Sequence, residues 1–278
     1  MLSHALPRAH VGLGLLAFIV SVGALVASTL VQAPFARAQS PKLDVPYVPT
    51  SEAVVDKMLE LAGVGANDYL IDLGSGDGRI PITAARRHGT RGFGVDIDPQ
   101  RIKEARANAQ EAGVSDKVTF EQRDLFQTSI SEATVLTLYL LPDVNLRLRP
   151  RILGELRPGT RVVSHDFDMG AWTADKIEKV GFKTVYLWVV PAQVGGKWQL
   201  SDARSGAESF TLELDQKYQE LSGSATIEGR SVPLRNARVA GERVSFEVPL
   251  AGGQVKRYEG RFAGGRIQGE GWSATRGS

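Results

Sequence analysis

The sequence contains no cysteine, and only four of its 278 residues are histidines, none of them after residue 165. The missing cysteine excludes disulfides, thiolate zinc sites, iron–sulfur clusters and cysteine nucleophiles. Hydrophobic residues make up 42% and charged residues 23% of the chain, as in an ordinary globular protein. This composition argues against collagen-like, coiled-coil and disordered classes, and the length suits one large domain or two modest ones.

Acidic residues are absent from residues 1–38. Residues 1–10 are basic, residues 11–32 are almost wholly apolar, and residues 36–38 form a small-residue A-x-A cleavage site. These three parts predict a secretory signal peptide that is removed after residue 38. The apolar run is also long enough to span a bilayer, so an uncleaved membrane anchor is the alternative. We therefore expect an exported, periplasmic protein or a membrane-anchored one.

The net charge of +2 comes from this leader alone. Removing Arg8 and Arg37 leaves 31 basic residues, which equals the 31 acidic residues of the chain. A neutral chain lacks the electrostatic footprint of a nucleic-acid-binding protein. No nucleic-acid partner is therefore expected, membrane association is expected only with an uncleaved leader, and the oligomeric state stays open.

Three regions follow the leader. Residues 39–50 contain three prolines and predict an extended lead-in. Residues 51–194 alternate between strand and helix patterns, including a helix over Ala174–Val180 and a strand over Thr184–Val190, which predicts a parallel sheet with helices on both faces. Residues 195–278 lack a helical period and predict a small antiparallel β-domain that packs against the rest or docks a partner.

A glycine-rich segment, DLGSGDGR from Asp72 to Arg79, follows the first predicted strand and opens a helix. Its Gly74, Gly76 and Gly78 follow a G-x-G-x-G spacing, which differs from the G-x-G-x-x-G loop of dinucleotide-binding proteins. Glycines allow a positive φ and a close approach of a ligand to the backbone. Taken alone, the segment is equally consistent with a tight structural turn.

Two carboxylates follow the next two predicted strands. Asp96 lies about 20 residues beyond the glycines, where a carboxylate can accept hydrogen bonds from ribose hydroxyls. Asp124 follows the third strand and suits contact with an adenine amino group. Because the carboxyl ends of parallel strands meet at one edge of a sheet, these groups and the glycine-rich loop predict a shared ligand site.

The segments DLGSGDGR, GVDIDP and RDLF, in this order and spacing, resemble motifs I to III of the class I, Rossmann-like S-adenosylmethionine-dependent methyltransferases. The resemblance spans about residues 46–190. It implies a Rossmann-like sheet, S-adenosylmethionine as cofactor, glycines against its methionyl part, and carboxylates on its amino group, ribose and adenine. The implied cofactor-binding residues are Asp72, Gly74, Ser75, Gly76, Gly78, Asp96 and Asp124.

The segments PYVPTS, LYLLP and LRPGTRVVSHDF are similar to one subgroup of these methyltransferases. It comprises the mitochondrial protein-lysine methyltransferases that act on the c-ring protein of ATP synthase and on adenine nucleotide carriers, with their bacterial relatives. The resemblance implies a protein lysine amine as acceptor. The leader and the β-domain depart from the subgroup, so two alternatives stay open: a small-molecule methyltransferase, and an exported non-catalytic protein whose β-domain binds a partner.

Methyl transfer by direct in-line displacement depends on positioning and desolvation, and it needs no metal. A lysine acceptor has a reference pKa of about 10.4, so the site must desolvate the amine or accept its proton. Tyr139, His165 and Asp166 are the candidate catalytic residues, although each is also an ordinary type of residue at a strand end. Tyr139 can also present its ring to a cation. Tyr47 and Thr50 are predicted to form a lid or, alternatively, a simple turn.

The leader and the implied cofactor point to different cellular compartments for this protein. S-adenosylmethionine is made in the cytosol, whereas the leader directs the chain outward. Three interpretations stay open: the cofactor reaches an exported enzyme, the leader anchors a domain that faces inward, or the site binds another ligand.

Overall fold

A computed structural model describes residues 47–205 and 208–277, all within one compact unit. The leader and most of the lead-in fall outside the described residues, so the predictions for them are not addressed by the structure. In the sequence, Asp98 followed by Pro99 predicts a capped helix start, and the structure confirms it: Asp98 accepts a hydrogen bond from the Gln100 backbone N–H at 2.8 Å, and Pro99 takes the first helical position. The helices are α1 (Glu52–Ala62), α2 (Arg79–His88), α3 (Pro99–Glu111) and α4 (Pro142–Glu155).

The strands fall into two groups. The first group is β1 (Tyr69–Leu73), β2 (Arg91–Asp96), β3 (Val118–Gln122), β4 (Val135–Leu138), β5 (Arg161–His165), β6 (Lys176–Val180) and β7 (Lys183–Val189). The second group is β8 (Gly196–Asp202), β9 (Glu208–Lys217), β10 (Glu220–Ile227), β11 (Arg230–Pro233), β12 (Arg235–Ala240), β13 (Arg243–Pro249), β14 (Val255–Ala263), β15 (Arg266–Gly269) and β16 (Trp272–Arg276).

The first group forms one sheet in the order β3-β2-β1-β4-β5-β7-β6. Strands β1 to β5 are parallel to one another, so their carboxyl ends lie at the same edge. Side chains alternate between the two faces of the sheet. Leu70 and Val135 pack in the cluster that contains α1 and α2 residues, whereas Leu136 and Val162 pack in the cluster that contains α4 residues. The predicted Rossmann-like sheet with helices on both faces is confirmed.

The predicted helix over Ala174–Val180 is wrong, because residues 176–180 form edge strand β6. The positions of Ala174, Ile177 and Val180 mimic a helical period, but the intervening charged residues are exposed along the sheet edge. Strand β7 runs antiparallel to β5, and β6 runs antiparallel to β7. A parallel strand would need a crossover of a dozen or more residues, whereas the antiparallel β6 and β7 are joined by a short turn at Gly181. The sheet is therefore mixed.

The second group forms an antiparallel sheet that closes into a barrel, because β9 pairs with both β8 and β10. This confirms the predicted C-terminal antiparallel β-domain. Its interior is filled by side chains that include Trp198, Leu212, Phe246, Tyr258 and Trp272. The change from the first sheet to the barrel occurs between Val189 and Gly196. Over the described ranges, no helix is long and apolar enough to cross a membrane.

Candidate active site

A cleft of about 190 Å³ opens at the carboxyl ends of β1, β2 and β4. The sheet order places the loops after these strands side by side, and the segment of residues 47–50, here called the strap, forms a further wall. Most of the residues predicted to bind the cofactor line this cleft: Asp72, Gly74, Ser75, Gly76, Asp96 and Asp124. Tyr47, Thr50 and Tyr139 line it as well.

The glycine-rich loop is shaped by hydrogen bonds to the neighbouring strand. The backbone N–H groups of Gly74 and Ser75 donate to the Val95 carbonyl at 2.9 and 2.8 Å. Gly76 has a φ of 53°, and a Cβ there would lie 2.6 Å from the Tyr47 ring, so only glycine lets the strap approach the loop. Gly78 is not part of the cleft lining. Its Cα faces Phe120, and a Cβ would lie 2.6 Å from that ring, so this glycine serves packing between α2 and β3.

Asp72 is a buried carboxylate at the back of the cleft, with 2% of its surface exposed. The Thr137 hydroxyl donates a hydrogen bond to it at 2.7 Å. Burial raises the pKa of Asp72 to about 7, against the effect of that hydrogen bond, and the negative charges of Asp96 and Asp77 add to the rise. A cationic amino group beside Asp72 would reverse this effect, which fits the role that the resemblance implies.

Asp96 and Asp124 are held in place by backbone groups. Asp96 accepts hydrogen bonds from the N–H groups of Gly76 and Asp98, each at 2.9 Å. Asp124 accepts from the Phe126 N–H at 2.8 Å and caps the short 3-10 helix Leu125–Gln127. A carboxylate has about four acceptor sites, so each keeps capacity for a ligand hydroxyl or amine.

The strap is fastened by two arginines that were not predicted as site residues. Arg79 donates to the Thr50 carbonyl at 2.7 Å and pairs with Asp77 at 2.6 Å. The Arg101 guanidinium lies over the Tyr47 ring, 4.4 Å from its centroid. Arg79 is the last residue of the glycine-rich segment, and Arg101 lies in the first turn of α3, just after the segment GVDIDP. These positions were the only sequence signal that could have identified them.

Tyr139 and His165 are brought together behind the cleft. Their ring centroids lie 3.8 Å apart with planes inclined by 29°. Tyr139 lines the cleft, whereas His165 is buried beneath it and its Nδ1 lies 3.2 Å from the Thr50 hydroxyl. Burial lowers the pKa of His165 to about 4, Asp166 opposes that change and Lys183 adds to it. The imidazole is therefore neutral near pH 7.

Asp166 lies next to this pair but is not part of the cleft lining. Its φ of 62° is in the left-handed region, which Asp tolerates better than most residues. Lys183 donates to its carboxylate at 2.5 Å and the Thr184 N–H donates at 3.0 Å. Burial works to raise the pKa of Asp166, but these two donors outweigh it and hold the pKa below its ordinary value. Asp166 is thus an ion-paired carboxylate, and Lys183 is its partner.

The side chains of the cleft fit S-adenosylmethionine. Asp72 and Asp96 both lie in the lining, and the resemblance implies that their carboxylates meet the amino group and the ribose hydroxyls of the cofactor. The Ser75 hydroxyl is buried and has no hydrogen-bond partner among the residues that the structure describes. A Cβ on Gly94 would lie 2.7 Å from this hydroxyl, so it faces strand β2. Apolar side chains complete the lining at Ile97, Leu125 and Leu140. In the described part of the chain, no cluster of three or more His, Asp or Glu residues could hold a metal ion.

Known proteins share this domain. The model of a family described as the ANTKMT methyltransferase domain matches residues 72–176. A protein-lysine N-methyltransferase of Saccharolobus islandicus is 47% identical over 151 residues, covering 52% of this chain and 94% of that protein. An ATP synthase subunit-C lysine N-methyltransferase of Xenopus laevis is 31% identical over 199 residues, covering 72% of this chain and 85% of that protein.

A solved structure also matches about half of this chain. It is that of an RNA methyltransferase from Salinibacter ruber in complex with S-adenosyl-L-homocysteine. The match covers 53% of this chain and 96% of that one, with 60% identity over the matched region and a TM-score of 0.52. Together with the cleft, these matches show that the chain belongs to the S-adenosylmethionine-dependent protein-lysine N-methyltransferase family.

Proposed function

We propose that this protein methylates the ε-amine of lysine residues in a protein substrate. The observation that carries the proposal is an aromatic wall beside the cofactor cleft, made by Tyr139 and Phe167, whose ring centroids lie 6.2 Å apart. Aromatic faces attract ammonium and sulfonium cations. The names of the Saccharolobus and Xenopus relatives support a lysine acceptor.

The residues of this chain contribute mainly binding and orientation. Asp72 and Asp96 hold the cofactor, and the strap with Tyr47 limits the access of water to it. When bound beside Asp72 and Asp96, S-adenosylmethionine would supply a methyl group to the lone pair of a neutral amine, with S-adenosylhomocysteine as the leaving group. Rigid placement of the amine in line with that bond supplies most of the acceleration.

The acceptor ammonium must lose a proton first, and neither of the two acid–base candidates beside Tyr139 is a strong base. His165 has a lowered pKa, and Asp166 is already paired with Lys183. We propose that desolvation against Tyr139, Leu141 and Phe167 favours the neutral amine, whose proton passes to water as the side chain enters.

A labelling assay with the full-length protein tests this proposal. The protein is incubated with tritiated S-adenosylmethionine and, in separate reactions, with the protein, RNA and small-molecule fractions of a cell extract. Label in protein that is recovered as methyl-lysine after acid hydrolysis is the expected result. Label confined to RNA, the acceptor for which the Salinibacter enzyme is named, would overturn it. Label confined to small molecules, or no label although S-adenosylhomocysteine binds, would overturn it as well.

The hydroxyl and the ring of Tyr139 can be tested separately. Tyr139→Phe keeps the ring that stacks on His165, so cofactor affinity should be unchanged, and any fall in turnover measures what the hydroxyl contributes. Tyr139→Ala removes the ring and should lower turnover further. An equal loss of cofactor affinity in both variants would show that Tyr139 belongs to the cofactor site and not to the acceptor side.

We also propose that the protein is exported. The basic start, the apolar run and the A-x-A site of the first 38 residues support this proposal. A fusion of alkaline phosphatase to the C-terminus should be active in the periplasm, with a start at Gln39. A fusion that accumulates in the cytosol without phosphatase activity would overturn export, because the reporter needs disulfides that do not form there. A retained leader on an active fusion would favour the membrane anchor.

A further inference from the structure

The segment of residues 166–175 connects β5 to β6 and carries part of the proposed acceptor wall. It begins beside the cleft, where Phe167 lies in the lining and faces Tyr139. It then folds back through a bridge between Met169 and Trp172, and Trp172 is completely buried. The position of Phe167 therefore depends on what holds this connecting segment.

One side of the segment is held by helix α4. The side-chain amide of Asn145 donates to the carbonyls of Phe167 and Asp168 at 3.2 and 3.3 Å. Arg149 donates to the Met169 carbonyl at 2.6 Å. These three hydrogen bonds restrain the first half of the segment, next to the cleft.

The other side is held by the barrel, through the turn that joins β9 to β10. The Tyr218 ring stacks on Trp172, with centroids 6.1 Å apart, and lies under the Arg149 guanidinium at 5.7 Å. Gln219 donates to the Thr173 carbonyl at 2.6 Å, and Arg238 of β12 lies 3.6 Å from Asp175. Tyr218 has a φ of 57°, a left-handed conformation that is unusual for a bulky residue.

Tyr218 lies between two barrel strands, but its side chain packs against the core beside the first sheet. Its side chain contacts the core cluster that contains α4, Met169 and Trp172, and it is not among the side chains of the barrel core. The left-handed backbone at Tyr218 points its ring away from the barrel interior and towards the core beside the first sheet. A residue needed only for barrel stability would pack inside the barrel.

We propose that the β9–β10 turn is a positioning element for the acceptor side of the active site, with Tyr218 as its main residue. Through Trp172 and the connecting segment it holds Phe167 opposite Tyr139. The match with the Saccharolobus protein covers 94% of that protein but 52% of this chain, so about half of this chain has no counterpart there. Of the barrel residues that the structure describes, none lines the cleft, so in this proposal the barrel affects catalysis by positioning Phe167 and not by touching the cofactor. This inference rests on the proposed function for the identity of the acceptor.

Three variants of the full-length protein test the inference. Tyr218→Ala removes the ring, Tyr218→Phe keeps it, and Phe262→Ala is the matched control, because Phe262 is a half-buried barrel aromatic that packs edge-on against Trp198, within the barrel. The measurements are the affinity for S-adenosylhomocysteine, kcat and KM with the purified protein that the tritium assay labels as acceptor, and hydrogen exchange of peptides from residues 166–175.

Tyr218→Ala should lower kcat/KM for the acceptor about tenfold, since small displacements of positioning groups reduce rates by such factors. Its affinity for S-adenosylhomocysteine should stay within about twofold of the wild type, and the segment should exchange faster. Tyr218→Phe should behave as the wild type. Phe262→Ala should lower thermal stability and leave both the acceptor kinetics and the exchange of the segment unchanged.

An equal loss of kcat/KM in Tyr218→Ala and Phe262→Ala would overturn the inference, because the barrel would then act through stability alone. Unchanged kinetics and exchange in Tyr218→Ala would also overturn it. If the proposed function is wrong, the wild type itself forms no methyl-lysine, and this result distinguishes the two failures. In that case the exchange of residues 166–175 with S-adenosylhomocysteine bound decides whether Tyr218 holds the segment.

Discussion

The ring of Tyr139 stacks on the imidazole of His165, 3.8 Å away between centroids. The same imidazole contacts the Thr50 hydroxyl at 3.2 Å, so a wall of the cleft and the strap that covers it share one buried side chain. The low pKa of His165, about 4, makes it a weak proton acceptor near neutral pH. These contacts favour a role for His165 in positioning Tyr139.

The buried, neutral state of His165 predicts a pH-dependent contribution to stability. Its pKa falls from 6.5 to about 4 on folding, so the unfolded chain binds more protons between these values. This contribution is fully present above pH 6.5 and is lost as the pH falls towards 4, up to about 3 kcal/mol in all. The difference in unfolding free energy between the wild type and His165→Asn, measured by urea titration at several pH values, should shrink over this window. A difference that does not change with pH would contradict the prediction.

Asp72 should make cofactor binding depend on pH. With a pKa of about 7 in the free protein, Asp72 is mostly protonated at pH 6 and mostly ionised at pH 8. If the ionised form pairs with the cofactor amino group, affinity should be about tenfold weaker at pH 6 than at pH 8. Calorimetry at pH 6 in buffers of different ionisation enthalpy should also show the release of a proton on binding. Asp72→Asn should bind weakly and independently of pH.

The same carboxylate should destabilise the free protein at high pH. Its pKa rises from 3.8 to about 7 on folding, so the folded state holds its proton more tightly. Stability from this group is therefore present below pH 3.8 and is lost as the pH rises through 7. Asp72→Asn should unfold at a higher temperature than the wild type at pH 8, without ligand. Because His165 acts in the opposite direction between pH 4 and 6.5, each variant must be compared with the wild type at the same pH.

Asp96 should be essential for cofactor binding. Asp96→Ala removes the acceptor for ribose hydroxyls and also the oxygen that holds the Gly76 N–H. Two hydrogen bonds to a charged group are lost, which corresponds to a weakening of about 100-fold or more in calorimetric titration with S-adenosylhomocysteine. Arg123→Ala, on the same cleft wall, is the control and should weaken binding far less. If Asp96→Ala binds S-adenosylhomocysteine as tightly as the wild type does, Asp96 is not a cofactor-binding residue.

Alanine substitutions at Gly76 and Gly78 should have different consequences. Gly78→Ala places a methyl group against Phe120 and Ala105 at a φ of 78°, so it should lower the unfolding free energy by about 3 kcal/mol. Gly76→Ala displaces the Tyr47 ring of the strap and should weaken cofactor affinity more than stability. Thermal denaturation and calorimetry on both variants separate the two effects. The same loss of affinity in both would place Gly78 at the cofactor after all.

Sequence patterns correctly predicted those features whose conformation depends on residues close by in the chain. The glycine-rich loop, the cap of α3 and the carboxylates at strand ends could be recognised because their spacing reflects local backbone geometry. Strand β6 could not be told from a helix, since a short run with Ile177 and Val180 is ambiguous between the two periods and only pairing with β7 decides it. The partners of the strap, Arg79 and Arg101, depend on contacts between distant segments.

By itself, the sequence determined the cofactor chemistry of this protein: three motifs and the absence of cysteine point to direct methyl transfer from S-adenosylmethionine. The tertiary structure decided the pKa values of the site residues and which of them line the cleft. Burial made Asp72 weakly acidic and His165 weakly basic, and packing turned Gly78 away from the cleft. Only the fold brought Tyr218 of the barrel against Trp172, 46 residues earlier in the chain. Desolvation and long-range packing act between segments that local sequence patterns do not connect.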